Sequence, residues 1–202
     1  MNACPVYLID DDAAVRDALA WLLRSCGIGS QLYASAEEFL ASYQPTMSGV
    51  IVLDIRMEGM SGLELFDRLL TLECPMPVIF LTGHGDVPQA VQALKKGAFD
   101  FLEKPFDENE LTERVKAAIS REAGRRGRAQ EVANIADRLE GLTEREREIM
   151  TRIVAGKLNK VIADELQIAV RTVEVHRARI FSKMGVRSAV ELAGLLAGRT
   201  AI

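Results

Sequence analysis

The stretch VYLIDDD, residues 6–12, places four apolar residues directly before three consecutive carboxylates. An unbroken apolar run of this length is typical of a strand that is buried on both faces, as in a parallel sheet covered by helices. Acidic side chains at the end of such a strand repel one another unless a cation or a proton lies between them. These seven residues alone leave one alternative open, in which one aspartate caps the next helix and the others are solvated.

The same pattern recurs along the first half of the chain. Further apolar runs stand at 50–53 and 78–81, with weaker ones at 29–33 and 99–102. Between the runs lie helical patterns near 13–25, 36–43, 62–72, 87–96 and 107–120. Five strands that alternate with five helices predict an α/β fold with a five-stranded, parallel, doubly wound sheet.

Polar side chains follow these apolar runs. Asp10 and Asp11 follow the first run, and Asp54, Thr82 and Lys104 follow three later ones. Because ligands bind at the carboxyl ends of parallel strands, we expect the five side chains to converge at one edge of the sheet. Carboxylates without cysteine or histidine select a hard cation such as Mg²⁺. The set indicates phosphoryl transfer, in which a carboxylate attacks phosphorus while an ammonium and a hydroxyl contact the phosphoryl oxygens. Each residue taken singly has a structural alternative: Asp54 also fits a helix cap, Lys104 a solvated side chain, and Thr82 a turn at the end of a strand.

The charge of the chain is unevenly distributed. Residues 1–120 hold 18 acidic and 9 basic side chains, a net charge of −9, whereas residues 121–202 hold 11 and 16, a net charge of +5. Opposite signs predict two modules with different partners, the second being nucleic acid. The three cysteines lack metal-ligand spacing and predict free, buried thiols in a reducing cytosol. No apolar run reaches the roughly 18 residues of a membrane span, so we expect a cytoplasmic protein without membrane contact.

Four motifs of the first half resemble the receiver domain of two-component response regulators. They are DDD at 10–12, LDIRMEGMSG at 53–62, FLTGHGD at 80–86 and FDFLEKPF at 99–106. The resemblance implies that Asp54 accepts phosphate from a sensor histidine kinase. It also implies that Mg²⁺ is held by Asp10, Asp11, Asp54 and the backbone carbonyl of Arg56, with Thr82 and Lys104 completing the site. Asp12 is left as a helix cap and surface charge.

The resemblance further implies a switch and a dimer. Phe101 is expected to swing inward when Thr82 turns toward the phosphoryl group, and the face around 87–101 is then expected to form a homodimer. The Lys104–Pro105 peptide bond matches a position that is often cis in this family. Glu58 stands where such domains usually have proline, and we expect it to loosen the loop and to add a negative charge near the site.

The second half of the chain differs from the first in composition and in sequence pattern. Residues 121–138 are polar and basic, with Gly124 and Gly127 interrupting helix propensity. Either a docked or paired amphipathic helix or a partly frayed linker fits this segment. From Leu142 onward the pattern predicts short helices, beginning with a capping box of Thr143 and Glu146. The expected division is a receiver at 1–122, a helical linker at 123–139 and a small all-α domain at 140–202.

The segment 141–197 resembles the helix-turn-helix domain of LuxR-type regulators, through LTEREREIM, GKLNKVIADEL and VRTVEVHRARIFSKMGVRS. With the receiver before it, the chain is identified as a member of the NarL/FixJ family. A recognition helix at 170–184 is expected to bury Val173, Ile180 and Met184. A helix in the major groove reads bases from its N-terminal part and holds phosphates from its flanks. The predicted DNA contacts are Lys160, Arg171, Thr172, Glu174, Val175, Arg177 and Lys183.

Among these contacts, Glu174 is predicted to accept a hydrogen bond from cytosine, and Val175 to contact a thymine methyl group. A solvated surface acid is the alternative for Glu174. Ala169 stands where serine is frequent and is expected to weaken the cap of the recognition helix. His84 and His176 are assigned no base-reading or catalytic role; for His176 we favour packing or a phosphate contact.

The function predicted from these features is a DNA-binding transcriptional response regulator. We expect promoter DNA, a sensor kinase and RNA polymerase as partners, and no enzymatic activity beyond the chain's own phosphorylation by a kinase or a small phosphodonor. Two other classes share some of the features. A metal-dependent phosphatase also uses an aspartate nucleophile, but it needs a second acid to activate water and a substrate-binding cap. An adaptor whose helical domain binds only protein is the other alternative, and salt-dependent, sequence-selective DNA binding separates it from a regulator.

Overall fold

The computed structural model describes residues 4–83 and 86–197. Its sheet consists of five parallel strands in the order β2-β1-β3-β4-β5. The strands are β1 (Val6–Ile9), β2 (Ser30–Tyr33), β3 (Val50–Asp54), β4 (Val78–Thr82) and β5 (Asp100–Glu103). The helices that connect and follow them are α1 (Ala13–Ser25), α2 (Ala36–Ser42), α3 (Gly62–Thr71), α4 (Val87–Lys95) and α5 (Glu108–Glu140). The doubly wound parallel sheet predicted from the sequence is confirmed.

The unbroken apolar runs are explained by helices on both faces of the sheet. Along β1, Tyr7 and Ile9 pack into a core that α2, α3 and α4 cover. The alternate residues, Val6 and Leu8, pack into a second core, which α1 and α5 cover. Since successive side chains of a strand point to opposite faces, a strand between two helical layers needs apolar residues at every position.

The strand order places a crevice where the acidic residues stand. Strand β1 pairs with β2 on one side and with β3 on the other, so the connection from β1 to β2 and the connection from β3 to β4 run in opposite directions. Asp10 directly follows β1 and Asp54 ends β3. Open sheets of this kind bind ligands at such a reversal of strand order.

The C-terminal unit is an all-helical bundle. The chain divides into two compact units between Arg126 and Gly127. After α5 come α6 (Glu144–Val154), α7 (Asn159–Leu166), α8 (Val170–Met184) and α9 (Ala189–Ala197). Their core contains Ile149, Ile153, Ile162, Leu192 and the three α8 residues expected to be buried, Val173, Ile180 and Met184. The predicted capping box is also confirmed, because the Thr143 and Glu146 side chains each accept from the other's backbone N–H.

Helix α5 departs from the sequence expectation. Gly124 and Gly127 were expected to interrupt it, yet the helix runs unbroken from Glu108 to Glu140 and contains the whole predicted linker. Each glycine costs about 1 kcal/mol of helix propensity. The ion pair of Glu122 with Arg125, three residues apart at 2.8 Å, acts in the opposite direction. Farther along, Ile135 is buried. The helix therefore continues through both glycines, and the frayed alternative is wrong.

The cysteines match the sequence expectation in part. All three are free thiols; Cys4 and Cys74 are half-buried, whereas Cys26 is exposed at the end of α1, so its expected burial is wrong. No helix among the described residues combines the length and the hydropathy that a bilayer span requires.

Candidate phosphorylation site and nucleic-acid interface

The carboxyl edge of the sheet gathers the polar residues that follow the strands. The Lys104 ammonium donates to Asp10 Oδ2 at 3.0 Å and to Asp54 Oδ1 at 2.7 Å. Asp10 and Asp54 are 2% and 7% exposed, so two carboxylates are buried beside one ammonium. An arrangement of this kind stabilises the charges that burial alone would disfavour.

The proton affinities of this pair reflect the balance between burial and charge. Burial raises the pKa of the Asp54 carboxyl above its ordinary value, against the hydrogen bond from Lys104, which acts to lower it. Burial by itself acts to lower the pKa of Lys104, but its hydrogen bonds to Asp54 and Asp10 outweigh burial and raise it. Lys104 is therefore held in its charged form at the edge of the acidic group.

Three carboxylates form a group with the geometry of a cation site. One oxygen from each of Asp10, Asp11 and Asp54 lies within 4.8 Å of the other two. All three donors are carboxylate oxygens, the ligands that Mg²⁺ prefers, and two buried acids need more positive charge than one lysine supplies. The residues present therefore fit Mg²⁺.

Two backbone amides fix the buried acids. The Arg56 N–H donates to Asp54 Oδ2 at 3.0 Å, and the Asp12 N–H donates to Asp10 Oδ1 at 2.9 Å. Asp12 also caps α1, since its carboxylate accepts from the Ala14 N–H at 2.8 Å. The expectation that Asp12 is a helix cap is confirmed. No contact tests the metal-ligand role of the Arg56 carbonyl, which stays a prediction.

The Arg56 side chain makes a contact that the sequence reasoning missed. Its guanidinium donates to both carboxylate oxygens of Asp86 at 2.7 and 2.8 Å. Asp86 is buried and stands at the N-cap of α4, where its carboxylate makes no capping hydrogen bond within the described residues. The one available signal was an acid directly before α4, which by itself indicates only a cap.

The loop between β3 and α3 is held on both sides, which the sequence reasoning also missed. The Glu58 N–H donates to Asp11 Oδ2 at 2.8 Å, and the Met60 N–H donates to Glu37 Oε1 at 2.9 Å. At Gly62, an added Cβ atom would lie 2.0 Å from the Asp54 carbonyl oxygen. Only glycine fits there, so the close approach of α3 fixes the loop next to the acidic group.

The two residues predicted to form the switch lie on the neighbouring strands β4 and β5. Thr82 ends β4, fully buried, and its hydroxyl donates to the Gly83 carbonyl at 2.9 Å. Phe101 is half-buried on β5 and packs against the core that α2, α3 and α4 cover. The Lys104–Pro105 bond is cis, as expected. His84 lies outside the described residues.

On α8 the structure presents several of the predicted DNA contacts. Arg171, Thr172, Glu174 and Val175 are exposed near the start of the helix, and Lys160 is exposed on α7. The carboxylate of Glu174 lies 3.7 Å from the Arg171 guanidinium, one turn away. Ala169 is the N-cap of α8, and its methyl group provides no capping oxygen, as expected.

Three other residues of α8 are less available to DNA, because each is held or partly buried within the C-terminal unit. Arg177 is half-buried, with its guanidinium 5.2 Å from the ring centre of Phe181. The Lys183 ammonium donates to Glu146 Oε2 at 2.7 Å and to the Gly141 carbonyl at 3.0 Å. His176 has a buried Nδ1 that finds no hydrogen-bond partner in the described part of the chain. Lys183 thus has a structural ion pair that its phosphate role did not anticipate, and that role stays a prediction.

Comparison with known proteins identifies a family for each half of the chain. The model of the response regulator receiver domain matches residues 6–116, and that of the bacterial regulatory proteins of the luxR family matches residues 140–196. The transcriptional regulatory protein FixJ of Bradyrhizobium diazoefficiens is 46% identical over 191 residues, which cover 94% of this chain and 93% of that protein. DctR of Rhodobacter capsulatus, a C4-dicarboxylate transport transcriptional regulatory protein, is 46% identical over 190 residues, covering 93% of this chain and 96% of that protein.

Solved structures extend the likeness to the fold. The response regulator StyR matches with a TM-score of 0.89 and 39% identity, over 97% of this chain and 99% of that one. Full-length FixJ from B. japonicum matches with a TM-score of 0.61 and 42% identity, over 100% of both chains. With the acidic edge of the sheet and the helical C-terminal unit, these matches show that the chain belongs to the NarL/FixJ family of two-component response regulators, which join a receiver domain to a LuxR-type DNA-binding domain.

Proposed function

We propose that Asp54 accepts a phosphoryl group from a sensor histidine kinase and that phosphorylation controls binding of the C-terminal domain to promoter DNA. The observation that carries the proposal is the Lys104 ammonium bridging Asp10 and Asp54 beside the Asp11 carboxylate. A nucleophile, an ammonium and a set of cation ligands at one strand edge are what phosphoryl transfer to a carboxylate requires. The reaction is the chain's own phosphorylation, and no further enzymatic activity is proposed.

The residues divide the chemistry of transfer between them. Asp10, Asp11, Asp54 and the Arg56 carbonyl would hold Mg²⁺, which supplies positive charge to the phosphoryl oxygens. A carboxylate oxygen of Asp54 forms the new bond to phosphorus as the bond to the donor's imidazole nitrogen breaks, and the imidazole leaves as a neutral base after taking up a proton. The Lys104 ammonium would donate a hydrogen bond to one phosphoryl oxygen and stabilise the negative charge that develops on it.

The signal would pass from Asp54 through Thr82 and Phe101. The Thr82 hydroxyl exchanges the Gly83 carbonyl, its acceptor in this structure, for a phosphoryl oxygen, and Phe101 moves inward from its half-buried position. A shift of about two orders of magnitude in population requires roughly 3 kcal/mol, which a few charge-assisted hydrogen bonds supply. The face around 87–101, where Val91 and Lys95 are exposed, then forms the homodimer.

The C-terminal domain would read promoter DNA through α8. Glu174 and Val175 contact base edges, Thr172 contacts either a base or a phosphate, and Lys160, Arg171, Arg177 and Lys183 hold phosphates. A regulator of transcription has RNA polymerase as a further partner. A chain that meets a kinase and promoter DNA acts in the cytoplasm.

The test is phosphorylation of the full chain by acetyl phosphate with Mg²⁺. The wild type should gain one acid-labile phosphate, and Asp54→Asn should gain none. Lys104→Ala should still be labelled but should neither dimerise nor bind promoter DNA more tightly. Labelling of Asp54→Asn to the wild-type level would contradict the assignment, and turnover of generic phosphate esters would favour a phosphatase.

Dimerisation and DNA binding need measurements of their own. Sedimentation at micromolar protein should show an increase in molecular mass when phosphodonor is added. An unchanged mass would remove the dimer from the proposal. Binding to duplex DNA should be selective for sequence and should weaken as salt rises. Binding that is equal for all sequences, or absent, would favour the protein-only adaptor.

A further inference from the structure

The three carboxylates of the acidic group are held in different ways. Asp10 and Asp54 are buried and both contact the Lys104 ammonium. Asp11 is exposed, and the hydrogen bond that fixes its carboxylate, in the described part of the chain, comes from the Glu58 N–H at 2.8 Å. An exposed carboxylate rotates easily in water, so Asp11 depends on this donor for its orientation more than the two buried acids depend on any one contact.

The Glu58 N–H is presented by a backbone that is itself fixed. Two residues later, the Met60 N–H donates to Glu37 on α2. At the end of the loop, the Gly62 N–H donates to the Ile55 carbonyl at 3.0 Å, and Gly62 has no space for a side chain. Because the loop is anchored on both sides of residue 58, contacts other than the one with Asp11 fix the position of the donor.

We propose that the backbone N–H of Glu58 is a positioning group for the Asp11 carboxylate and thereby sets the affinity of the site for Mg²⁺. The inference rests on the proposed Mg²⁺ site. A carboxylate has two oxygens, so Asp11 accepts this hydrogen bond through Oδ2 and offers its other oxygen to the cation. Groups that orient metal-binding side chains in this way typically change metal affinity 10–100-fold. The donor exists in every variant of residue 58 except proline, which lacks a backbone N–H.

The test compares two variants of residue 58 in the full chain. Glu58→Gln keeps the N–H and the side-chain length and removes only the charge, whereas Glu58→Pro removes the charge and the donor. Isothermal titration with Mg²⁺ should give a dissociation constant about 10-fold higher for Glu58→Pro than for Glu58→Gln. Amide exchange over 62–71 should be equal in the two variants, which shows that α3 is intact in both.

A second measurement uses the wild type and needs no folded proline variant. In ¹⁵N-labelled protein, the Glu58 amide should exchange slowly with solvent, and Asp11→Ala should abolish that protection. The protection should persist when Mg²⁺ saturates the site, because a positioning donor stays bonded while the cation is held.

The outcomes separate this inference from the function on which it rests. Equal Mg²⁺ affinities of Glu58→Pro and Glu58→Gln would overturn the inference and leave the Mg²⁺ site standing. Loss of amide protection at Glu58 on saturation would also overturn it, since the N–H would then compete with the cation. If the wild type takes up no Mg²⁺ at all, the proposed metal site fails and the inference fails with it.

Discussion

In the receiver domain, Lys104 bridges Asp10 and Asp54 at 3.0 and 2.7 Å, whereas on α8 of the DNA-binding domain Arg171 and Glu174 approach only to 3.7 Å. The receiver residues are mostly buried, and their charged groups contact one another. The pair on α8 is exposed, with 88% of the Arg171 side chain open to solvent. The difference follows from the proposed tasks. Phosphoryl transfer needs charges fixed in advance, but reading DNA needs side chains that gain their partners only from the bases and phosphates.

The largest expected effect tests whether the acidic group acts as a unit. Asp11→Ala should abolish Mg²⁺-dependent labelling by acetyl phosphate, a loss of more than about 100-fold, because it removes one of the proposed cation ligands. The neighbouring variant Asp12→Asn is the matched control, since asparagine still caps α1 and the cation ligands are unchanged. Phosphate-affinity gels measure both variants. Equal loss in the two would show that total charge, and not the specific ligand, matters.

The next effect tests whether the backbone next to the group is fixed by packing. Gly62→Ala should lower the free energy of unfolding by about 1–3 kcal/mol, because its Cβ would lie 2.0 Å from the Asp54 carbonyl oxygen. Gly127→Ala is the opposite case: its Cβ meets no described atom within 4 Å inside α5, so it should stabilise by roughly 0.5–1 kcal/mol. Chemical denaturation of the full chain measures both changes. An unchanged free energy of unfolding for Gly62→Ala would show that the loop backbone moves to accommodate the added methyl group.

The ion pair of Lys183 with Glu146 in the DNA-binding domain sharpens the comparison, because its carboxylate is buried, like two of those in the receiver site. Hydrogen bonding to Lys183 and to the Thr143 backbone lowers the pKa of the Glu146 carboxyl from 4.5 to about 2. Since the folded pKa is the lower one, the stabilisation is fully present above about pH 4.5 and is lost as the pH falls toward 2. Glu146→Gln should lower the stability of α6 at neutral pH by about 1–3 kcal/mol.

Amide exchange over 144–154 in the full chain measures this effect between pH 3 and 6. Glu144→Gln is the control, since Glu144 is exposed in the same first turn of α6. If Glu146→Gln keeps the protection of the wild type at every pH, the ion pair contributes nothing to the fold.

The smallest effects separate base reading from phosphate contact on the exposed face. Glu174→Ala should relax preference at one base position and cost about 1–3 kcal/mol on the proper site. Lys160→Ala should weaken binding to all sequences alike and reduce the salt slope by about one unit. Titrations with matched and mismatched duplexes at several salt concentrations distinguish the two. Tighter binding of Glu174→Ala to every sequence would identify Glu174 as a repulsive surface charge only.

Much of the fold was predictable because its signals are local. The unbroken apolar run of β1 requires burial on both faces, and the residues after the runs mark the carboxyl edge of a parallel sheet. The capping box of Thr143 and Glu146 fixed the start of α6 for the same reason, since its partners are three residues apart. Of the site, Asp10, Asp11, Asp54 and Lys104 could be named from strand ends alone.

What the sequence by itself determined is therefore the set of elements, the acidic edge and the family. Tertiary structure alone decided the long-range contacts: Arg56 with Asp86, Glu58 with Asp11, and Lys183 with Glu146. It also decided that α5 continues through two glycines. The physical reason is the same for the three contacts. Propensity and periodicity act over a few residues, but these contacts join positions 30, 47 and 37 residues apart, which meet only after the sheet and the helices have packed.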